Sequence, residues 1–118
     1  MKDRTMNYHS MQPWIHQILD LLEAHFGSSV EFVVHDLTLN YEHTIVDIRN
    51  GEITGRQIGD TGDILGLQVL RGTENNTDDN FYQNISFTKD GRTVRSSTLF
   101  LRDAQGTPTV CIAVNEDI

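Results

Sequence analysis

Residues 93–115 read TVRSSTLFLR, DAQG and TPTVCIAVN, and this stretch decides the fold class. Its first and last parts are rich in β-branched and aromatic residues, which favour β-strands, and the four residues between them have the composition of a turn. A further strand is predicted just upstream, with a second turn at Lys89-Asp90-Gly91-Arg92. The predicted strands therefore form an antiparallel meander of Phe81 to Thr88, Thr93 to Arg102 and Thr107 to Asn115.

Two more strands are predicted in the first half of the chain, at Val30 to Leu37 and at Thr44 to Ile48. Asn50-Gly51 is a strong two-residue turn signal, and Glu52-Ile53-Thr54 is available as a return strand. Asp63 to Arg71 has the apolar spacing of a short helix. The order of elements predicts an α+β fold, with a five-stranded antiparallel sheet and helices on one face.

An amphipathic helix is predicted at residues 10–27, ahead of the sheet core at residues 30–115. Ser10 or a neighbour can cap it, Pro13 suits its first turn, and Gly27 ends it. Its apolar residues cover more than one stripe, which suggests a helix buried on two sides, against the sheet and against a second subunit. The predicted interface of a homodimer consists of Trp14, Ile18, Leu21 and His25.

Composition limits the class of protein. The 118 residues fit a single domain, 1–118, and the formal charge of −8 disfavours direct binding to nucleic acid. Cys111 is the only cysteine, which rules out an internal disulfide and a thiolate metal cluster. We find neither a signal-peptide pattern nor an apolar run long enough to cross a membrane, so we expect a cytoplasmic protein.

Several short stretches, taken together and in order, carry a resemblance to a known family. They are Phe26-Gly27, Glu31 to Leu37, Ile45 to Gly51, Thr54 to Gly59, Asp90-Gly91-Arg92, Ser96-Ser97-Thr98 and Cys111 to Asn115. With them the sequence resembles the YheO-like PAS domain, the N-terminal sensory part of a group of bacterial transcriptional regulators. The resemblance covers nearly the whole chain and implies a PAS-like fold. It also implies a helix-turn-helix domain C-terminal to this one, so that DNA is bound only through that further domain.

His35, Asp36 and Arg56 are candidate ligand-binding residues. His35 and Asp36 are adjacent on a strand and point to opposite faces, so they cannot form a catalytic dyad. Either both satisfy local hydrogen bonds or one of them orients a polar ligand. Arg56 lies in a glycine-rich connector, where it either grips a carboxylate at the edge of a pocket or remains a surface residue.

Small polar side chains form two further candidate rows. Ser96 and Thr98 share one strand face with Val94 and Phe100, because side chains alternate along a strand. The row on the preceding strand consists of Tyr82, Asn84 and Ser86. Such rows line a polar cavity if they face inward, or a solvated sheet face if they do not.

These patterns favour a sensor of a small polar metabolite, such as an amino acid or a small acid, which acts as a homodimer. The alternative is a dimerisation or interaction module whose cavity is filled by its own side chains. We expect no enzyme, because the sequence shows no nucleophile–base or paired-carboxylate constellation, and we assign no catalytic or metal-binding residue. Nothing in the sequence requires a cofactor.

Overall fold

The computed structural model describes residues 7–39, 44–55, 58–59, 80–87 and 91–118. Within them lie one α-helix and a five-stranded sheet, so the predicted α+β class is confirmed. The predicted helix at Asp63 to Arg71 and the candidate Arg56 lie outside the described residues. The elements are α1 (Tyr8–Phe26), β1 (Val30–Asp36), β2 (Ile45–Arg49), β3 (Phe81–Phe87), β4 (Thr93–Arg102) and β5 (Pro108–Asp117).

The strand order is β2-β1-β5-β4-β3, and every neighbouring pair is antiparallel. The first and last strands of the sheet in sequence order, β1 and β5, are therefore paired with each other near its centre. Val34 lies opposite Ile112, and Ile112 in turn lies opposite Leu99 on β4. This register sets which side chains share a face.

The helix begins two residues earlier than predicted, because Asn7 and not Ser10 is its N-cap. The Asn7 side chain accepts a hydrogen bond from the Ser10 backbone at 2.9 Å, and the Asn7 backbone donates to Ser10 Oγ at 3.2 Å. This reciprocal pair is a capping box, which satisfies two donors at the helix start. Pro13 consequently lies inside the helix, beyond its first turn.

The helix covers one face of the sheet, which we call the helix face. Ile15 and Leu19 are buried there against Phe32, Val34 and Val110. The opposite face, which we call the distal face, carries a second apolar cluster of Val33, Ile45 and Ala113. Adjacent residues of β1 thus serve different surfaces of the sheet.

The predicted return strand at Glu52-Ile53-Thr54 is wrong, because Gly51–Ile53 forms a short 3₁₀ helix. Asn50 adopts the left-handed conformation, with a φ of 59°. Its side-chain amide donates to the carbonyl oxygens of Gly27 and Val30, each at 2.8 Å. These bonds fasten the turn to the start of β1, so the chain folds back over the sheet instead of pairing beside β2.

Candidate functional site

The distal face of the sheet combines apolar packing with buried polar groups. Glu31 is 0% exposed and Asn115 is 4% exposed, although both side chains are polar. Val33, Val94 and Phe100 are buried on the same face. Buried polar side chains require hydrogen-bond partners, and their partners define the geometry of this face.

Four side chains form a continuous series of hydrogen bonds across three strands, which we call the polar relay. Ser96 Oγ on β4 donates to Asn115 Oδ1 on β5 at 2.6 Å, and Asn115 Nδ2 donates to Glu31 Oε1 on β1 at 2.7 Å. The second carboxylate oxygen of Glu31 accepts from Thr54 Oγ1 at 2.6 Å and from the Thr54 backbone at 3.2 Å. The relay therefore connects β4 to the turn that follows β2.

Arg92, the residue before β4, also binds this turn. Its guanidinium donates to the carbonyl oxygen of Glu52 at 2.9 Å and also to that of Ile53. Arg92 Nη1 lies 3.6 Å from a carboxylate oxygen of Asp117. The turn after β2 is thus fixed to the sheet by both Glu31 and Arg92.

The structure separates the two adjacent candidates, His35 and Asp36. His35 is buried on the distal face, where its Nδ1 lies 2.9 Å from Oγ1 of the buried Thr44. Asp36 ends β1, and its Oδ1 accepts from the backbone and the hydroxyl of Thr38 at 2.9 and 2.6 Å. Asp36 therefore shapes the turn after β1, and only His35 lies on the face of the polar relay.

The predicted hydroxyl rows meet only in part. Ser96 and Thr98 are half-buried and share the distal face with Asn115, to which Ser96 is bonded. Asn84 lies opposite Ser96 but is exposed. A bulge in β3 places Phe81, and not Tyr82, opposite Thr98, and Tyr82 is exposed. The bulge coincides with Gln83, whose φ is 56°.

The four candidate interface residues share one flank of α1 and all are exposed there. Trp14 is 62% and Leu21 is 67% exposed, and Ile18 and His25 are exposed as well. Because they follow one another at intervals of three and four residues, they form a continuous stripe along the helix. The structure therefore presents an apolar strip of α1 that the sheet does not cover.

The other flank of α1 is charged and is attached to β2 through Arg49. The Arg49 Nη1 group donates to Asp20 at 2.9 Å and to Glu23 at 3.1 Å, and its Nε donates to Asp47 at 3.3 Å. Partial burial opposes the charged form, but these hydrogen bonds outweigh it and raise the pKa of Arg49 above its ordinary value. Burial also raises the pKa of Tyr8, as does the nearby Asp47 carboxylate.

A family model described as the YheO-like PAS domain matches residues 6–118. The protein belongs to the YheO-like PAS domain family. The resemblance found in the sequence is thereby confirmed for the domain. A search of curated proteins found no match.

Solved structures similar to this YheO-like PAS domain show the same fold. An RNA-binding light-oxygen-voltage receptor matches with a TM-score of 0.55 and 21% identity, over 92% of this chain and 33% of that one. The chain thus spans about a third of the length of that receptor. The PAS domain of the fruit-fly ELK potassium channel matches with a TM-score of 0.51 and 18% identity, over 85% and 96% of the two chains. The dark structure of the blue-light photoreceptor Aureochrome1 LOV matches with a TM-score of 0.53 and 19% identity, over 83% of this chain and 82% of that one.

Three relay residues of this YheO-like PAS domain were not among the sequence candidates: Glu31, Thr54 and Asn115. Glu31 carries a signal of its own, since it is a charged residue inside the apolar run VEFVV of residues 30–34. Asn115 likewise follows the apolar run CIAV at residues 111–114. Strand alternation places Glu31 on the same face as His35. The pairing of Glu31 with Asn115, however, depends on the β1–β5 register, which local sequence does not encode.

Among the described residues of the YheO-like PAS domain, no helix has the length and apolar character needed to cross a membrane. The same residues contain no group of three or more His, Cys, Asp or Glu side chains placed to hold a metal ion.

Proposed function

We propose that this PAS domain senses a small polar molecule, which binds against the distal face of the sheet. The observation that supports this most directly is the polar relay, in which a completely buried carboxylate is linked to a half-buried hydroxyl. Glu31, Asn115 and Ser96 offer both donors and acceptors at the bottom of such a site. An amino acid or a small acid has the matching functional groups.

The proposed signal passes through β1 to α1. Glu31 is on the distal face, and the next residue, Phe32, is on the helix face, where its ring lies 6.3 Å from that of Phe26 at the end of α1. A ligand that shifts Glu31 must therefore also shift the packing beneath α1. A ligand that binds more tightly to one of two arrangements of α1 on the sheet shifts the population toward that arrangement. The size of the shift is set by the difference between its two affinities.

In this proposal the domain acts as a homodimer and conveys its ligand state to an attached helix-turn-helix domain of a bacterial regulator. The exposed stripe of α1 supports the dimeric part, since large exposed apolar strips usually mark an interaction surface. The charge of −8 leaves DNA contacts to the attached domain. The proposed role is regulatory and requires neither a catalytic residue nor a cofactor.

A second function, a dimerisation module without a ligand, is favoured by one specific observation. Both carboxylate oxygens of Glu31 already accept hydrogen bonds from the protein, so the relay is satisfied without an added molecule. A self-satisfied polar network stabilises a core and needs no ligand. The two functions therefore differ in whether the relay reorganises when a small molecule is present.

The deciding experiment measures the unfolding temperature of the chain with a panel of amino acids and small carboxylic acids, together with native mass spectra. A sensor predicts that at least one compound raises the unfolding temperature and appears as added mass. Ser96→Ala should abolish that shift, whereas Ser97→Ala, one residue away on the helix face, should preserve it. If no compound in the panel shifts either quantity, the ligand-free module is favoured.

A further inference from the structure

The turn after β2, residues 50–54, is anchored at both ends by side chains that face different parts of the molecule. At its start, the Asn50 amide donates from Nδ2 to the carbonyl oxygens of Gly27 and Val30, each at 2.8 Å. At its end, the Thr54 hydroxyl and backbone N–H donate to Glu31 Oε2 at 2.6 and 3.2 Å. One anchor therefore belongs to the chain that leaves α1, and the other belongs to the polar relay.

Between the two anchors, the turn is short and internally bonded. Gly51–Ile53 forms a 3₁₀ helix, in which the Ile53 backbone N–H donates to the Asn50 carbonyl oxygen at 3.2 Å. The Gly55 backbone N–H donates to the Gly51 carbonyl oxygen at 2.7 Å. The Ile53 side chain is buried. A segment closed by its own backbone bonds and held by a buried side chain resists bending, so a displacement of Thr54 also displaces Asn50.

Asn50 meets two demands at this position that few side chains meet together. Its backbone is left-handed, with a φ of 59°, a conformation that asparagine tolerates better than most other non-glycine residues. Its amide carries two N–H donors, which matches the two carbonyl oxygens. Those oxygens belong to Gly27, which follows the last residue of α1, and to Val30, the first residue of β1. One side chain thus fixes the end of α1 relative to the start of β1.

We propose that Asn50 is a positioning residue, through which the polar relay sets the position of the C-terminal end of α1. The inference rests on the proposed function and adds a second connection to it, because this path leaves the sheet at Glu31 and reaches α1 through the hydrogen bonds of the turn. The path through β1, by contrast, depends on the packing of Phe32 against Phe26. A small molecule that takes the Glu31 oxygen from Thr54 releases the turn, and with it the end of α1.

Three substitutions separate the two anchors without adding bulk. Asn50→Gly keeps the left-handed backbone accessible and removes only the amide. Thr54→Val keeps the branched shape and removes the hydroxyl that binds Glu31. Thr54→Ser keeps a hydroxyl at the same position and is the matched control for Thr54→Val.

The first measurement is amide hydrogen exchange, resolved by NMR, in the full chain without any added compound. Amides at a helix end exchange through local opening, which the Asn50 anchor opposes. Asn50→Gly should accelerate exchange at residues 24–27 about tenfold and Thr54→Val about fivefold, while Thr54→Ser should change it by less than about twofold. In the double variant Asn50→Gly/Thr54→Val, exchange at residues 24–27 should match that of Asn50→Gly alone within about twofold, because the anchor is already absent.

The second measurement is the NMR signal of the Asn50 side-chain amide, which is assigned by its absence in Asn50→Gly. Thr54→Val should move its proton signals toward those of a water-exposed asparagine, because the bonds to Gly27 and Val30 weaken. Thr54→Ser should leave them in place. A substitution that only lowers the free energy of unfolding does not move signals of the folded state, so this measurement reports the geometry of the anchor.

Two results would contradict the role of Asn50. If Thr54→Val accelerates exchange at residues 24–27 by the same factor with and without Asn50, Thr54 acts on α1 through β1 instead. If Thr54→Val changes neither that exchange nor the Asn50 amide signals, the turn does not connect the relay to α1. Neither result involves a small molecule, so the ligand panel still tests sensing independently.

Discussion

Glu31 occupies the most restrictive environment in the polar relay. Its carboxylate is completely buried and, within the described part of the chain, accepts two hydrogen bonds from Thr54 and one from Asn115. A buried acceptor that is removed leaves its donors without partners, and each such donor costs about 1–3 kcal/mol. We therefore expect the contribution of Glu31 to stability to depend on hydrogen bonding more than on its charge.

We predict that Glu31→Met lowers the free energy of unfolding by at least about 1–3 kcal/mol, because Met has a similar size but accepts no strong hydrogen bond. Glu31→Gln should retain most of the stability. The introduced amide oxygen can serve Thr54, and the Asn115 amide can flip, since the Ser96 hydroxyl can accept as well as donate. Urea unfolding of the three proteins measures both differences.

The two variants form a matched pair, since both remove the charge and nearly preserve the volume. Their difference therefore isolates the hydrogen bonds of the relay. Equal losses for Glu31→Met and Glu31→Gln would show that the carboxylate charge, and not the relay, stabilises this face.

At the level of single residues, the sequence predicted the positions of Ser96 and Thr98 better than those of their partners. Strand alternation alone places both on one face, and the structure agrees. Tyr82 belongs to the predicted row on the preceding strand, but the bulge at Gln83 places Phe81, and not Tyr82, opposite Thr98. A bulge inserts one extra residue into a strand, and without a glycine the local sequence carries no strong signal of it. Strand alternation therefore predicts the wrong pairing beyond the bulge.

Among the elements of the fold, α1 is the one whose two flanks differ most in their contacts. Arg49 of β2 joins one flank through the two helix carboxylates Asp20 and Glu23, and the other flank is the exposed apolar stripe. Planar guanidinium groups donate in several fixed directions at once, which a lysine ammonium on its flexible stem does not reproduce. The attachment of α1 to β2 thus depends on the shape of Arg49 as well as on its charge.

We predict that Arg49→Lys increases hydrogen exchange of the α1 backbone amides and lowers the free energy of unfolding by about 1 kcal/mol. The exchange of β5 should change far less, because β5 lies in the middle of the sheet. Hydrogen exchange followed by mass spectrometry, with urea unfolding, checks both parts.

The control for this prediction is Arg95→Lys, the same substitution at an arginine of β4 whose guanidinium lies 3.5 Å from Glu116. It should leave α1 exchange unchanged and alter stability by no more than about 0.5 kcal/mol. Faster α1 exchange in both variants would show a general loosening of the sheet instead of a specific attachment by Arg49.

The sequence predicted all five strands and α1 to within two residues at each end, because alternation and helical spacing are local signals. The turn after β2 could not be predicted in the same way. Asn50-Gly51 indicates a hairpin, but Asn50 instead donates to carbonyl oxygens at residues 27 and 30, and Glu31 binds Thr54. These partners are 20 to 23 residues away in the sequence, so only the assembled sheet determines the turn.

On the scale of the whole molecule, the sheet separates two surfaces with different proposed roles. The distal face carries the polar relay, and the helix face carries α1 and the exposed apolar side chains of Leu99, Ile85 and Phe87. β1 belongs to both, because its alternate side chains enter the relay and the core beneath α1. A ligand on one face can therefore influence association on the other without touching the interface.

Association through α1 makes stability depend on protein concentration, since a dimer is favoured by mass action and the unfolded chain is not a dimer. We predict that the unfolding temperature of the native chain rises with its concentration, and that the emission of Trp14, the single tryptophan, shifts to the blue over the same range as its ring leaves water.

Trp14→Asp should abolish the concentration dependence, because it places a charge in an apolar interface. His9→Asp adds the same charge to an exposed position on the opposite flank of the same helix and should preserve both the dependence and the shift. If the native chain unfolds at one temperature at all concentrations and its emission is constant, α1 is not an interface between copies, and the stripe must be explained by another partner.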